Sequence, residues 1–334
     1  MAPFKANSMK ILIAIVLTFT VCFTGCNKPQ PVTPSSENTQ APAQPKAEQT
    51  IRISGAWALY PMMVKWSEEY RALNPNVRID VSAGGAGKGA ADALGGLVDI
   101  GMISRSIHED EIAKGAWFVP VVRDAVFPVI NVKNPALDAI MEKGVSQKVL
   151  TELWVEGATK TWGQVTGSTN SDTVSVFTRS DACGAAETWA KYLGAKQEDL
   201  KGTGVYGDPG LAETVRKDPN GLGFNNLGYA YDVRTGKPVA GIMVLPLDTN
   251  NNGRLDASED FYGSLKTLLP AINEGRYPSP PARDLYLMCK GTPIGPAADF
   301  IKYILADGQK SAPEAGYIPL VADKIKAAQT KLDN

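Results

Sequence analysis

The sequence predicts an α/β fold with largely parallel sheets, and three observations carry that prediction. Short strand-like and helix-like segments alternate along most of the chain. Glycine- or turn-rich elements stand between strand and helix at three places. The composition sets the scale: 334 residues, 44% hydrophobic and 21% charged, are globular and sufficient for two domains.

The elements follow in order. Ile51 to Ser54 reads as a strand ending at Gly55. Pro61 to Leu73 reads as a helix, with Met62, Met63, Trp66, Tyr70 and Leu73 near the helical period. Pro75 stops it, and Val77 to Val81 alternates as a second strand. A glycine-rich turn, Gly84 to Gly89, leads into a small-residue helix reaching Leu97. Val98 to Met102 is a third strand and Val121 to Val132 a longer apolar one. Val174 to Phe177 and a helix from about Gly184 to Leu193 resume the alternation, and Asp284 to Cys289 is expected to return the chain to the first domain. Ligands of such folds sit at the carboxyl ends of strands.

The N-terminus carries an address. Lys5 and Lys10 precede an apolar run from Ile11 to Phe23, then Thr24-Gly25-Cys26, the layout of an export signal. As a helix the run would span about 20 Å, short of the roughly 30 Å hydrocarbon core, so a spanning anchor is the weaker reading. Phe-Thr-Gly-Cys resembles the bacterial lipobox, with Phe23 where Leu is usual; it implies cleavage before Cys26 and lipidation of its sulfur. Asn27 to Thr50, rich in Pro, Gln, Ser and Ala, is expected to be a flexible tether. The expectation is a signal peptide at 1–25, a tether at 26–50, and a body held at the periplasmic face of the envelope or at the cell surface.

Charge narrows the function. The net charge is −1, or −3 without the first 25 residues, which argues against a nucleic-acid partner but not against a small anion. A single histidine, His108, leaves little room for His-rich metal sites or His-based catalysis.

Three connections have the chemistry of anion sites: Ser54 to Pro61, Ala83 to Gly89 and Arg179 to Ala185. A helix N-terminus leaves amides unpaired and carries partial positive charge, and missing β-carbons let an anion approach. Three such turns, one with an arginine, predict an oxyanion site. Gly84 to Lys88 is not a nucleotide-hydrolase phosphate loop, because Gly87-Lys88 is followed by Gly89 rather than Ser or Thr. Cys183, near a helix start, is a conceivable nucleophile without a local histidine or carboxylate to support it. Whether Cys183 and Cys289 pair stays open.

Asp248 to Glu259 fits the twelve-residue calcium-loop template. Oxygen ligands fall at Asp248, Asn250, Asn252, Asp256 and Glu259, the Arg254 carbonyl takes the seventh position, and Gly253 makes the sharp turn. A structural Ca2+ is expected there; an Asn-Gly hairpin is the alternative. No catalytic cofactor is expected.

From Ile51 to about Asp323 the chain resembles substrate-binding proteins of phosphate-specific ABC transporters. The segments that carry the resemblance are Ser54 to Trp66, Ser82 to Gly89, Val98 to Arg105, Thr159 to Val165, Phe177 to Trp189, Asn220 to Tyr229 and Arg276 to Tyr286. The resemblance implies a two-lobed periplasmic binding protein-like clamp of type II with two crossover strands. Lobe 1 would hold 51–130 and 285–334, and lobe 2 would hold 131–284, including the loop at 248–259. It further implies a non-catalytic, monomeric receptor that passes phosphate or a related oxyanion to an ABC permease in the inner membrane. Leu59 and Tyr60 would supply main-chain donors, Arg179 the charge and Gly184 a helix-start amide, with Ser104 and Arg105 lining the first-lobe side. Ala86, Gly87, Cys183 and Ala185 complete the expected contacts.

The departures from the family pattern matter for the ligand. Ala86, Cys183, Ala185 and Leu59 stand where hydroxyl residues are usual, which predicts phosphate binding weaker than in close relatives, or a preference for a different or larger oxyanion. An oxyanion sensor and an exported hydrolase using the same cleft are the alternatives.

Overall fold

A computed structural model describes residues 49–333. The signal-peptide, tether and Cys26 lipidation expectations therefore lie outside the described residues, apart from the tether's last two positions, Gln49 and Thr50. These two already belong to the first strand.

Strand β1 (Gln49–Gly55) is followed by α1 (Tyr60–Leu73), β2 (Val77–Ala83), α2 (Ala86–Leu94) and β3 (Ile100–Ile103). Pro61 at the first turn suits α1, since its missing N–H would have no partner there. Met62, Met63, Trp66 and Tyr70 are buried as the periodicity predicts, whereas Leu73 is 67% exposed. The chain then leaves the helix before Pro75, whose ring disfavours helical geometry at Asn74.

One expectation shifts: α2 begins inside the glycine run, at Ala86, and ends at Leu94. The reason is close packing. A Cβ at Gly89 would stand 2.6 Å from the Met102 carbonyl, and one at Gly101 would stand 2.4 Å from the Gly89 carbonyl. The glycines let α2 lie directly on β1 and β3, so they belong to the helix as well as to the turn.

After α3 (Glu109–Ala113) comes β4 (Ala116–Asn131), five residues longer at its start than the apolar pattern showed. Short helices occupy part of 137–166. Then follow β5 (Ser175–Arg179), α4 (Gly184–Tyr192), β6 (Thr203–Val205), α5 (Gly207–Lys217), β7 (Gly221–Asn226), β8 (Ile242–Val244), β9 (Ala282–Lys290), a helix at Gly295–Ile304, β10 (Ile318–Pro319) and a helix at Ala322–Asp333.

The main sheet runs β2-β1-β3-β9-β4-β7-β5-β6, with β8 and β10 also paired to β4. Pairs β1/β2, β1/β3, β5/β6 and β5/β7 are parallel, as βαβ units require. Strand β9 is antiparallel to both β3 and β4, and β4 is antiparallel to β7.

Two hydrophobic cores share this sheet among the described residues. The first gathers Ile51, Ile53, Trp66, Val119, Leu287, Phe300 and their neighbours. The second gathers Phe127, Trp154, Trp162, Trp189, Phe224, Tyr277 and others. Strand β4 changes core between Val122 and Ala125, and β9 between Ala282 and Leu285. These two strands tie the halves together. No helix among the described residues is long and apolar enough to cross a membrane.

Candidate functional site

Two of the three connections singled out in the sequence, Ala83 to Gly89 and Arg179 to Ala185, meet where the two cores join. From the first side come the loop before α2 and the end of β3; from the second comes the loop between β5 and α4. The Gly87 amide donates to the Ala182 carbonyl at 3.2 Å. A Cβ on Gly184 would stand 2.2 Å from the Ser104 carbonyl and 2.3 Å from its Oγ, so only glycine fits that approach. Ser104 is itself buried.

Helix α4 presents the amides. Cys183 is its N-cap: Sγ accepts from the Ala186 amide at 3.4 Å, and the Cys183 carbonyl accepts from the Glu187 amide at 3.1 Å. The Cys183 amide donates to Gln197 Oε1 at 3.3 Å. Gly184 and Ala185 carry the two first-turn amides that these bonds leave over. Both sit at the positive end of the nine-residue helix, where Gly184 lies against Ser104.

Arg179 lies beneath this turn with its side chain fully buried. Nε and Nη2 reach the Asp181 carboxylate at 2.8 and 2.6 Å, and Nη1 reaches Asp208 Oδ2 at 2.6 Å. Burial opposes the guanidinium charge, but the Asp208 and Asp181 carboxylates outweigh it and raise the pKa. The arginine is always charged, yet its charge is already shared by two carboxylates. Burial pushes the Cys183 thiol up to about 12, although Arg179 pulls the other way. A thiol so held is protonated at neutral pH and is no nucleophile. Cys183 and Cys289 are both free and buried, so no disulfide joins them.

Other expected contacts have different employment. The Leu59 and Tyr60 amides donate to the Ala56 carbonyl at 3.1 and 3.2 Å, closing the turn that starts α1. Ala86 is fully buried at the start of α2. Arg105 is a clasp: it holds Glu111 through two bonds and meets Glu187 of α4 from Nε at 3.2 Å. His108 Nε2 reaches the same Glu187 at 3.2 Å. On the opposite flank Trp57 packs edge-on against Tyr206, ring centroids 6.1 Å apart, and the Trp57 carbonyl accepts from Tyr229 Oη at 3.4 Å.

Sequence reasoning missed the carboxylates and amides behind Arg179. Asp208 Oδ1 accepts from the Asn226 amide and Nδ2 at 3.1 and 2.7 Å. Asn226 Oδ1 accepts from Arg283, which also donates to the Gly184 carbonyl, to Thr188 Oγ1 at 2.8 Å, and to Asp124 Oδ2 at 3.4 Å. Only Asp181, two residues after Arg179, had a local signal.

The loop Asp248–Glu259 closes on itself. Asp248 accepts from the Asn252 and Gly253 amides at 3.2 and 2.9 Å, and Glu259 Oε1 from the Thr249 amide at 2.8 Å. Asp256 binds the amide groups of Asn250 and Asn252 and the Arg254 guanidinium. Asp248 and Glu259 are buried at 4% and 5% exposure. Among the described residues no three His, Cys, Asp or Glu side chains converge as a metal-holding group, so any cation here would also need the Asn and carbonyl oxygens.

Two α/β cores joined by shared strands, with loops from both meeting at the start of α4, form a PBP-like fold. The chain belongs to the PBP superfamily, whose domain it matches over residues 39–308. It is 26% identical over 352 residues to the phosphate-binding protein PstS of Xylella fastidiosa strain Temecula1, covering 93% of this chain and 94% of that one. It is 27% identical over 319 residues to the PstS of Pseudomonas aeruginosa PAO1, covering 87% and 91%. A solved structure from Clostridium perfringens, assigned as a phosphate ABC transporter substrate-binding protein with bound phosphate, superposes with a TM-score of 0.68 at 19% identity. That match covers 82% of this chain and all of the other. An ABC-type phosphate transport receptor from Vibrio cholerae gives 0.58 at 18% identity over 81% of this chain and all of that one.

Proposed function

We propose that this protein is a non-catalytic receptor that captures phosphate or a related oxyanion outside the cytoplasm and delivers it to an ABC permease. The single observation that supports this reading is the first turn of α4, where the cap leaves the Gly184 and Ala185 amides over, Gly184 lies against Ser104, and Arg179 is buried close by. Similarity to proteins named for phosphate binding supports the choice of ligand. Two lobes closing about β4 and β9, a monomeric state and lipid attachment through Cys26 belong to the same proposal. An exported hydrolase is disfavoured by a protonated, buried Cys183 and by His108 being tied to Glu187. Calorimetry and native mass spectrometry with phosphate, sulfate, arsenate and molybdate test the reading; failure of all four to bind overturns it.

We also propose that Asp248–Glu259 takes a structural Ca2+. Two buried carboxylates in one short loop, Asp248 and Glu259, have no ion pair with a cationic side chain among the described residues, which supports it.

A further inference from the structure

Behind the proposed anion site runs a buried chain of polar groups: Asp124, Arg283, Asn226, Asp208, Arg179 and Asp181. It crosses the junction of the two cores, since Asp124 lies on β4 and Arg283 on β9, the strands that change core at this level. Three carboxylates face two guanidiniums, so with every group ionised the chain carries one surplus negative charge. An oxyanion arriving at α4 adds more negative charge in a region of low dielectric.

We propose that Arg283 is a positioning residue for anion capture, and that a proton taken up by its partner Asp124 on binding relieves the surplus negative charge. This rests on reading the first turn of α4 as the anion site.

Arg283 is placed to do this because it touches both ends of the problem. One nitrogen, Nη1, holds the Gly184 carbonyl and Thr188 of α4; the other, Nη2, holds Asp124 and Asn226. Through Asn226 and Asp208 the same chain reaches Arg179.

Asp124 is the weakest-held carboxylate of the three. Asp181 and Asp208 each bind Arg179 at 2.6 Å, whereas the one cation that Asp124 meets among the described residues, Arg283, stands 3.4 Å away, and its other partners are the Ala125 and Leu227 amides. The ionisable groups that bear on it are Arg283 from β9, Asp208 from α5, and the buried phenols Tyr229, Tyr277 and Tyr317. Only Arg283 among these is a cation. Burial, opposed by Arg283, already lifts the Asp124 carboxyl to about 6. Further negative charge lifts it more.

The test is phosphate calorimetry on the whole protein and on Asp124→Asn between pH 5 and 8, in two buffers of different ionisation heat. Phosphate's own ionisation contributes equally to both proteins, so the difference isolates Asp124. The wild type should take up more protons on binding than the variant. Its affinity should rise relative to the variant as pH falls, by at most roughly ten-fold per pH unit for one linked proton. At pH 7 the variant should bind more tightly than the wild type. Identical proton counts and pH profiles in the two proteins would overturn the inference while leaving the anion site intact. No phosphate binding by the wild type at any pH would overturn the anion reading first and this inference with it. If Asp124→Asn does not fold, difference infrared spectra of the wild type with and without phosphate decide: a protonated-carboxyl band should grow on binding, and its absence would overturn the proposal.

Discussion

Arg179 and Asp208 meet through Nη1 and Oδ2 at 2.6 Å, and neither side chain is exposed to solvent. Such a pair is costly to break from one side, because the surviving charge is left buried without a partner. Arg179→Ala should therefore lower unfolding stability by about 3–5 kcal/mol. Phosphate affinity, measured by calorimetry where the variant remains folded, should fall by at least about ten-fold as the positive charge behind the first turn of α4 is removed. Unchanged binding would remove Arg179 from the site.

The contact between Gly184 and Ser104 predicts a different kind of loss. A methyl group on Gly184 has no room beside the Ser104 carbonyl, so Gly184→Ala should hold the two sides apart. Small-angle scattering should show a larger radius of gyration, and phosphate affinity should drop while each core keeps its packing. An unchanged radius with unchanged affinity would contradict this.

Glu187 bridges Arg105 and His108 from across the junction, partly exposed to solvent. Glu187→Gln should speed phosphate release a few-fold, consistent with up to about 1 kcal/mol for a partly exposed ion pair. Stopped-flow fluorescence, with Trp57 against Tyr206 as reporter, reads the rate directly. High salt should reproduce much of the effect in the unaltered protein.

Asp124 also leaves a mark on stability. Its folded-state pKa, about 6, lies above the ordinary value near 4, so the folded state holds a proton that the unfolded chain releases. The sign follows: this contribution is full below about pH 4 and is lost as pH rises through about 6. Asp124→Asn should cancel that decline. Denaturant titrations of both proteins across this range measure it; parallel curves would show that Asp124 ionises normally.

For the loop at Asp248–Glu259, chelator should lower the melting temperature, and Asp248→Ala with Glu259→Gln should abolish that sensitivity. Identical melting curves with and without Ca2+ would leave the loop as a hydrogen-bonded hairpin.

The sequence disclosed those parts of the site whose chemistry is local. Arg179, Cys183 and Gly184 fall within six positions, and a strand, a turn and a helix start can be read there directly. Asp208, Asn226, Arg283 and Asp124 are single residues scattered over the chain, and nothing around Asp208 distinguishes it from any helix-start acid. Pairing brought them together, and pairing is not visible in one sequence. The roles of Leu59 and Arg105 were obscured for a related reason: whether a donor is free depends on what else it meets. The start of β4 was hidden because Trp117 and Val119 alternate with half-buried residues, so the apolar run begins only where both faces are covered.

The interleaving of β9 between β3 and β4 also constrains how the chain can be made. Trp66 Nε1 donates to the Gly308 carbonyl, and Tyr317 Oη to the Ala58 carbonyl, contacts more than two hundred positions apart. A nascent chain that has emerged only through β8 lacks the strand that lies between β3 and β4. The N-terminal half must therefore wait for the C-terminal segment, and late closure of this kind slows folding. Translation order and native topology are thus out of step, which keeps an unfinished chain from locking into shape before synthesis ends.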